Sequence, residues 1–251
     1  MQEAFFFESD RQPIFGVYHP ALGADSGVLT VICPPLFSEL NRTYAALRSL
    51  ALALVQKGHH VLRFDYSGSG DSYGELSEAT LSDWINEIDL AINEGRDLSG
   101  CRRVRIVGVR GSALLASKAI GRNASVDRVV LWDPVRDGNG YLSSLDREQD
   151  ASLMEHLYLD SSERRSIKSK FDLYPVSEQM LSDLRSIGAD TYESLPQDKV
   201  RVVRTSSTQE LGVAGIAEIS IEFNCNWETK NGEVIMCQPV MEQLLECLTA
   251  S

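Results

Sequence analysis

The sequence predicts a doubly wound α/β domain, a mostly parallel sheet of about eight strands with helices on both faces. Apolar runs of strand length alternate with longer amphipathic segments, the signature of strands joined by helical crossovers. The chain has 251 residues, 43% of them hydrophobic, enough for one sizeable core. No internal repeat or polar low-complexity tract interrupts the alternation.

Two short strand-like runs open the chain, around residues 4–7 (AFFF) and 13–19 (PIFGVYH). The β-branched run 27–33 (GVLTVIC) follows and stops at Pro34-Pro35. Residues 43–57 place Tyr44, Leu47, Leu50, Ala51, Leu54 and Val55 at helical spacing, and Lys57-Gly58 closes that helix. A strand over 60–65, a glycine-rich turn and a helix over about 79–95 come next. Then strand 104–109, a turn of small residues, a helix over 112–121 and strand 127–133 complete the pattern. Residues 135–195 break the rhythm: they are polar and helical in character, so they read as a helical cap inserted after the sixth strand. Strands at 200–206 and 218–224 and a last helix over about 238–249 follow, giving a single domain over 1–251.

The formal charge of −12 and the lack of a basic stripe argue against a nucleic-acid partner. No stretch approaches the roughly 20 apolar residues that span a bilayer. The N-terminus lacks the basic and apolar regions of a signal peptide, so a cytoplasmic location is expected. Cys33, Cys101, Cys225, Cys237 and Cys247 are scattered, without zinc-knuckle spacing, and neither a metal nor any other cofactor is expected.

Four segments occur in a fixed order: ICPPLFSELNR (32–42), VLRFDYSGSGDSYGE (61–75), VRIVGVRGSALLA (104–116) and VVLWDPV (129–135). Together they resemble α/β-hydrolases of the serine-aminopeptidase-like type. More closely, they resemble the hydrolase-2 proteins associated with bacterial exosortase and exopolysaccharide gene clusters. The resemblance covers roughly residues 10–145. It implies an α/β-hydrolase fold, in which the turn after the fifth strand presents a nucleophile within a G-x-S-x-G elbow. Here the elbow reads Gly108-Val109-Arg110-Gly111-Ser112. A guanidinium stays protonated and has no lone pair for attack, so Arg110 marks a degenerate nucleophile position. Ser112, two residues on, reads as a small residue in place of the motif's last glycine.

The other triad positions also depart from the family's pattern. After the seventh strand only Glu210 could serve as the acid, and it lies late. After the eighth strand the chain reads Asn224-Cys225-Asn226-Trp227-Glu228, with Trp227 where the base should stand. His59 and His60 precede a strand and belong to the opposite sheet edge, His19 ends an early strand, and His156 lies in the cap. The resemblance places oxyanion N–H groups at Leu36 or Phe37 and at Gly111, with Glu39, Asn41, Asp133 and Trp227 around them. The partial G-x-G at Gly68-Ser69-Gly70 lacks the third glycine of a dinucleotide fingerprint and reads as a backbone turn.

Arg110 has two readings: a clamp for an anionic ligand, or an internal ion pair with Glu39 or Asp133 that fills the site. Three functions stay open. One is a non-catalytic or altered protein that binds a small anionic or acyl ligand, as an accessory factor in exopolysaccharide or exosortase systems. Another is a hydrolase or acyltransferase with non-standard machinery. The third is an interaction module whose cap docks a protein partner.

Overall fold

The structure, a computed structural model, describes residues 2–8, 12–120, 125–155, 160–163, 175–227 and 234–250. Its strands are β1 (Glu3–Phe7), β2 (Ile14–His19), β3 (Val28–Cys33), β4 (His59–Phe64), β5 (Arg103–Val109), β6 (Val126–Trp132), β7 (Val200–Thr205) and β8 (Ala217–Ile221). They form one sheet in the order β1-β2-β4-β3-β5-β6-β7-β8. β1 pairs with β2, and β2 with β4, antiparallel; every later pair is parallel. Parallel strands flanked by helices must be apolar on both sides, and β3 is buried at all six positions.

The long helices are α1 (Ser38–Gln56), α2 (Leu81–Ser99), α3 (Ser112–Ile120) and α6 (Gln238–Thr249), with α4 (Gly138–Glu155) and α5 (Glu178–Arg185) between β6 and β7. On one face, Leu47, Leu50, Leu54 and Val55 of α1 share a core with Val240, Leu244 and Leu248 of α6. On the other, Ile85, Ile88 and Ile92 of α2 pack with Leu114 and Leu115 of α3. The connection leaving β3 therefore goes to one face and that leaving the adjacent β5 to the other. This divergence opens a crevice at the strand C-termini, the usual ligand position in doubly wound sheets.

Helix α1 starts five residues earlier than its apolar periodicity indicated. Phe37, with φ 58°, turns the chain sharply after Pro34-Pro35, and the polar first turn Ser38-Glu39 enters the helix at once. Helix α2 begins at Leu81, capped by Thr80 Oγ1 accepting from the Asp83 N–H, and ends at Gly100 in the left-handed region. His156 and Glu228 lie outside the described residues. Among the described residues, no helix is long and apolar enough to cross a membrane.

Candidate functional site

The elbow between β5 and α3 requires two close approaches. A Cβ on Gly108 would come within 3.1 Å of the Ala113 Cα and 3.2 Å of Leu131 Cδ2, which is why the strand carries glycine there. Arg110 at the tip has φ 53°. Among the described residues, the other non-glycine positions with positive φ are Phe37, Asp133 and Asn226, in loops beyond the C-terminal ends of β3, β6 and β8. Left-handed backbone is costly for L side chains, so this strain is concentrated around one site.

Arg110 is 5% exposed, and its Nε donates to Glu39 Oε1 at 2.9 Å. Its Nη1 reaches the Asp133 carbonyl at 3.4 Å, and the guanidinium lies 5.0 Å from the centroid of the Trp227 ring. Glu39 is 1% exposed and uses its second oxygen to accept from the Tyr141 hydroxyl at 3.0 Å. Burial pushes the Glu39 carboxyl above the ordinary carboxylate range, opposed by Arg110 and Tyr141. Burial also works against charge on Arg110, but the adjacent Glu39 outweighs it and holds the guanidinium protonated.

Of the two carboxylates expected as alternative partners for the guanidinium, Glu39 forms the ion pair and Asp133 does not. The Asp133 backbone oxygen, not its carboxylate, accepts from the guanidinium. The reason is saturation: Oδ1 accepts from the Thr205 N–H at 2.7 Å and Thr208 Oγ1 at 2.6 Å, while Oδ2 accepts from Thr205 Oγ1 at 2.7 Å and Trp227 Nε1 at 2.8 Å. Four donors fill the lone-pair sites of a fully buried carboxylate. The Trp227 indole thus bridges Arg110 and Asp133, and packs edge-on against Trp132 at 5.6 Å.

Leu36, Phe37 and Gly111 all lie against Tyr141 of α4. A Cβ on Gly111 would meet Tyr141 Cε1 at 2.5 Å and Leu36 Cδ1 at 3.1 Å, and the phenol oxygen, whose proton goes to Glu39, lies 3.3 Å from the Leu36 carbonyl oxygen. Phe37 stacks on the same ring at 6.3 Å. Asn41 does not join the site. It is exposed on α1, because two residues past Glu39 is about 200° around a helix. Arg42, one residue on, is buried instead, donating to the carbonyls of Trp227 at 2.9 Å and Asn226 at 2.8 Å. That contact holds the loop carrying Trp227.

Ser112 is fully buried behind the elbow, where its hydroxyl accepts from the Val109 N–H and has the carbonyl oxygens of Val109 at 2.9 Å and Cys33 at 3.0 Å as alternative acceptors for its one proton. Glu210 is exposed and faces Arg204 at 3.6 Å. His19 sits against Arg63 Nε at 3.3 Å, His59 against Thr30 at 2.9 Å and His60 against Tyr18 at 2.5 Å, all distant in the fold from the elbow. Beside the Arg110–Trp227 contact a cavity of about 520 Å³ opens, lined also by Ser207, Thr208 and Asn226, with exposed Arg136 and Arg147 at its rim.

Sequence reasoning did not find Tyr141, Thr205, Thr208 or Arg42. Only Arg42 carried a signal, since it lies three residues from Glu39 on the same helix face.

No protein-family profile matches the sequence. Among curated proteins, the chain is similar to palmitoyl-protein thioesterase ABHD10, mitochondrial, of Bos taurus, at 31% identity over 114 residues. That match covers 45% of this chain and 35% of the relative. The Homo sapiens counterpart is 31% identical over 110 residues, 43% of this chain and 33% of the relative. The chain thus matches about a third of these relatives' length. Among solved structures, MGS-M2, an α/β hydrolase enzyme from a Medee basin deep-sea metagenome library, superposes with TM-score 0.62 at 12% identity, covering 98% of both chains. XC6422 from Xanthomonas campestris, an α/β serine hydrolase without a lid, gives 0.60 at 12% identity, over 98% of this chain and 93% of that one. The thioesterase domain of the curacin biosynthetic pathway gives 0.59 at 14% identity, over 98% and 99%. An eight-stranded, mostly parallel sheet with this order, elbow and set of structural neighbours is the α/β-hydrolase fold.

Proposed function

We propose that this α/β-hydrolase-fold protein is a non-catalytic binding or accessory protein. In this reading Arg110 and Trp227 stand where the nucleophile and base of a triad would stand, and Asp133, after β6 and not after β7 where Glu210 lies, makes the acid's contact to the base position. The observation that carries it is the Trp227 Nε1 bond to Asp133 Oδ2 at 2.8 Å beneath a guanidinium 5.0 Å from the same ring. In a working triad a carboxylate holds the imidazole by its N–H, and the other ring nitrogen takes the hydroxyl proton. Indole offers the first contact and lacks the second nitrogen, so the relay ends at Trp227.

The ligand class that fits is a small anion or an acyl group with an anionic head, entering the cavity beside Arg110. The chain acts as one unit over 1–251, with residues 135–195 as its cap, and a cytoplasmic setting goes with this reading. A role in exopolysaccharide or exosortase systems rests on the motif resemblance of residues 10–145.

The second reading, an altered hydrolase, draws support from the relatives named as thioesterases. It needs a general base, and the available carboxylates are poor ones: Asp133 has four donors, and Glu39 is buried with Arg110 and Tyr141 on its two oxygens. A fluorophosphonate probe and a short acyl thioester test the choice on the full chain. The expected result is no serine labelling and no turnover above the uncatalysed rate. Stoichiometric labelling of any serine would overturn the proposal.

A further inference from the structure

The edge of the sheet opposite the elbow brings together three side chains of metal-ligand type from distant segments. Asp25 lies in the β2–β3 loop, His60 in the first turn of pairing of β4, and Cys101 between α2 and β5. Their ligand atoms all lie within 4.8 Å of one another. We propose that Asp25, His60 and Cys101 form a site for one zinc-class divalent ion, with water in the fourth position.

His60 Nε2 is buried without a hydrogen-bond partner and stands 3.3 Å from Asp25 Oδ2. Zinc bonds of about 2.0–2.2 Å at the tetrahedral angle put nitrogen and oxygen donors about 3.3–3.6 Å apart. Each ligand is held from behind. Asp25 Oδ1 accepts the Gly27 N–H at 2.7 Å, which leaves Oδ2 for the metal. His60 Nδ1 meets the Tyr18 hydroxyl at 2.5 Å; with Nε2 on the metal, Nδ1–H donates to that oxygen. The Cys101 N–H donates to Ser99 Oγ at 3.2 Å, just after the left-handed turn at Gly100. A thiolate and an imidazole select a zinc-class ion over calcium or magnesium, and thiolate plus carboxylate balance its charge. On binding, the S–H bond breaks, the sulfur lone pair goes to the metal, and the proton leaves to solvent. The ion would clasp three chain segments far from the Arg110 cavity, so this site stands independently of the function proposed above.

The test is zinc titration of the chelator-treated full chain by equilibrium dialysis, with cobalt(II) as a spectroscopic probe. One zinc per chain is expected, with a sulfur-to-cobalt charge-transfer band. Asp25→Asn, His60→Gln and Cys101→Ser should each weaken zinc binding at least tenfold, and Cys101→Ser should remove the band. Cys247→Ser should change neither. Asp25 is 56% exposed, so Asp25→Asn should unfold in chelator at the same temperature as the parent, which separates ligand loss from misfolding. Zinc below one equivalent, or unchanged affinity in the three variants, would overturn the site.

Discussion

The two ends of the parallel strands use polar side chains in opposite ways. At the C-terminal end, Glu39, Asp133 and Arg110 are deeply buried and their polar atoms are largely taken up by one another, by Tyr141 and by two threonines. At the N-terminal edge, Asp25, His60 and Cys101 converge while His60 Nε2 lacks a hydrogen-bond partner. The carboxylates at the end where this fold carries its chemistry are taken up by structural contacts, whereas His60 Nε2 at the opposite edge has no hydrogen-bond partner. A fold's usual site therefore indicates where to look first; the bonding of its groups indicates what they can still do.

The strongest challenge to this contrast is to break the buried pair. Glu39→Ala leaves the Arg110 guanidinium without its anion and should cost about 3–5 kcal/mol, read by urea unfolding. The double variant Glu39→Leu with Arg110→Met removes both charges and should recover most of that loss. A cost below about 1 kcal/mol for Glu39→Ala would mean that the elbow end is not held together by its ion pair.

Next in size is the acid response of the opposite edge. Burial, with nearby arginines, lowers His19 and His59 to about 4. Between pH 6.5 and 4 the unfolded chain takes up protons that these folded histidines refuse. Their contribution is complete above pH 6.5 and falls away as the pH drops towards 4. Buried Glu39, Asp65 and Glu87 have raised carboxyls that act in the other direction, so the comparison with a variant isolates the histidine. The stability advantage of the parent over His59→Gln should shrink by on the order of 2–3 kcal/mol across that window. A constant difference would remove His59 from the acid response.

The smallest effect sharpens the role of the indole. Trp227→Phe keeps the ring beneath Arg110 but removes one of four donors to Asp133, and should cost about 1.5–3 kcal/mol in unfolding free energy. A neutral result would show that Thr205 and Thr208 satisfy that carboxylate without it.

The elbow was legible because it obeys local rules. Gly108 and Gly111 are required by close approach, and Arg110 stands between them in the primary order. Asn41 faces outward because it stands two residues past Glu39 on α1, about 200° around the helix. Asp133 was placed at the correct end, but its carboxylate direction depends on Thr205 and Thr208, more than 70 residues away. Tyr141 lies in a segment whose polarity says only that it is outside the sheet.

Alternating apolar runs, glycine at the tight turn and arginine at its tip follow from the order of residues, because strand period, helix period and steric room at a turn are short-range properties. Which carboxylate meets Arg110, which aromatic ring packs against Leu36 and Gly111, and that an aspartate, a histidine and a cysteine share one corner do not follow from that order. They depend on how crossovers bring remote strand ends together, and on hydrogen bonds that each buried polar group must find once water is excluded.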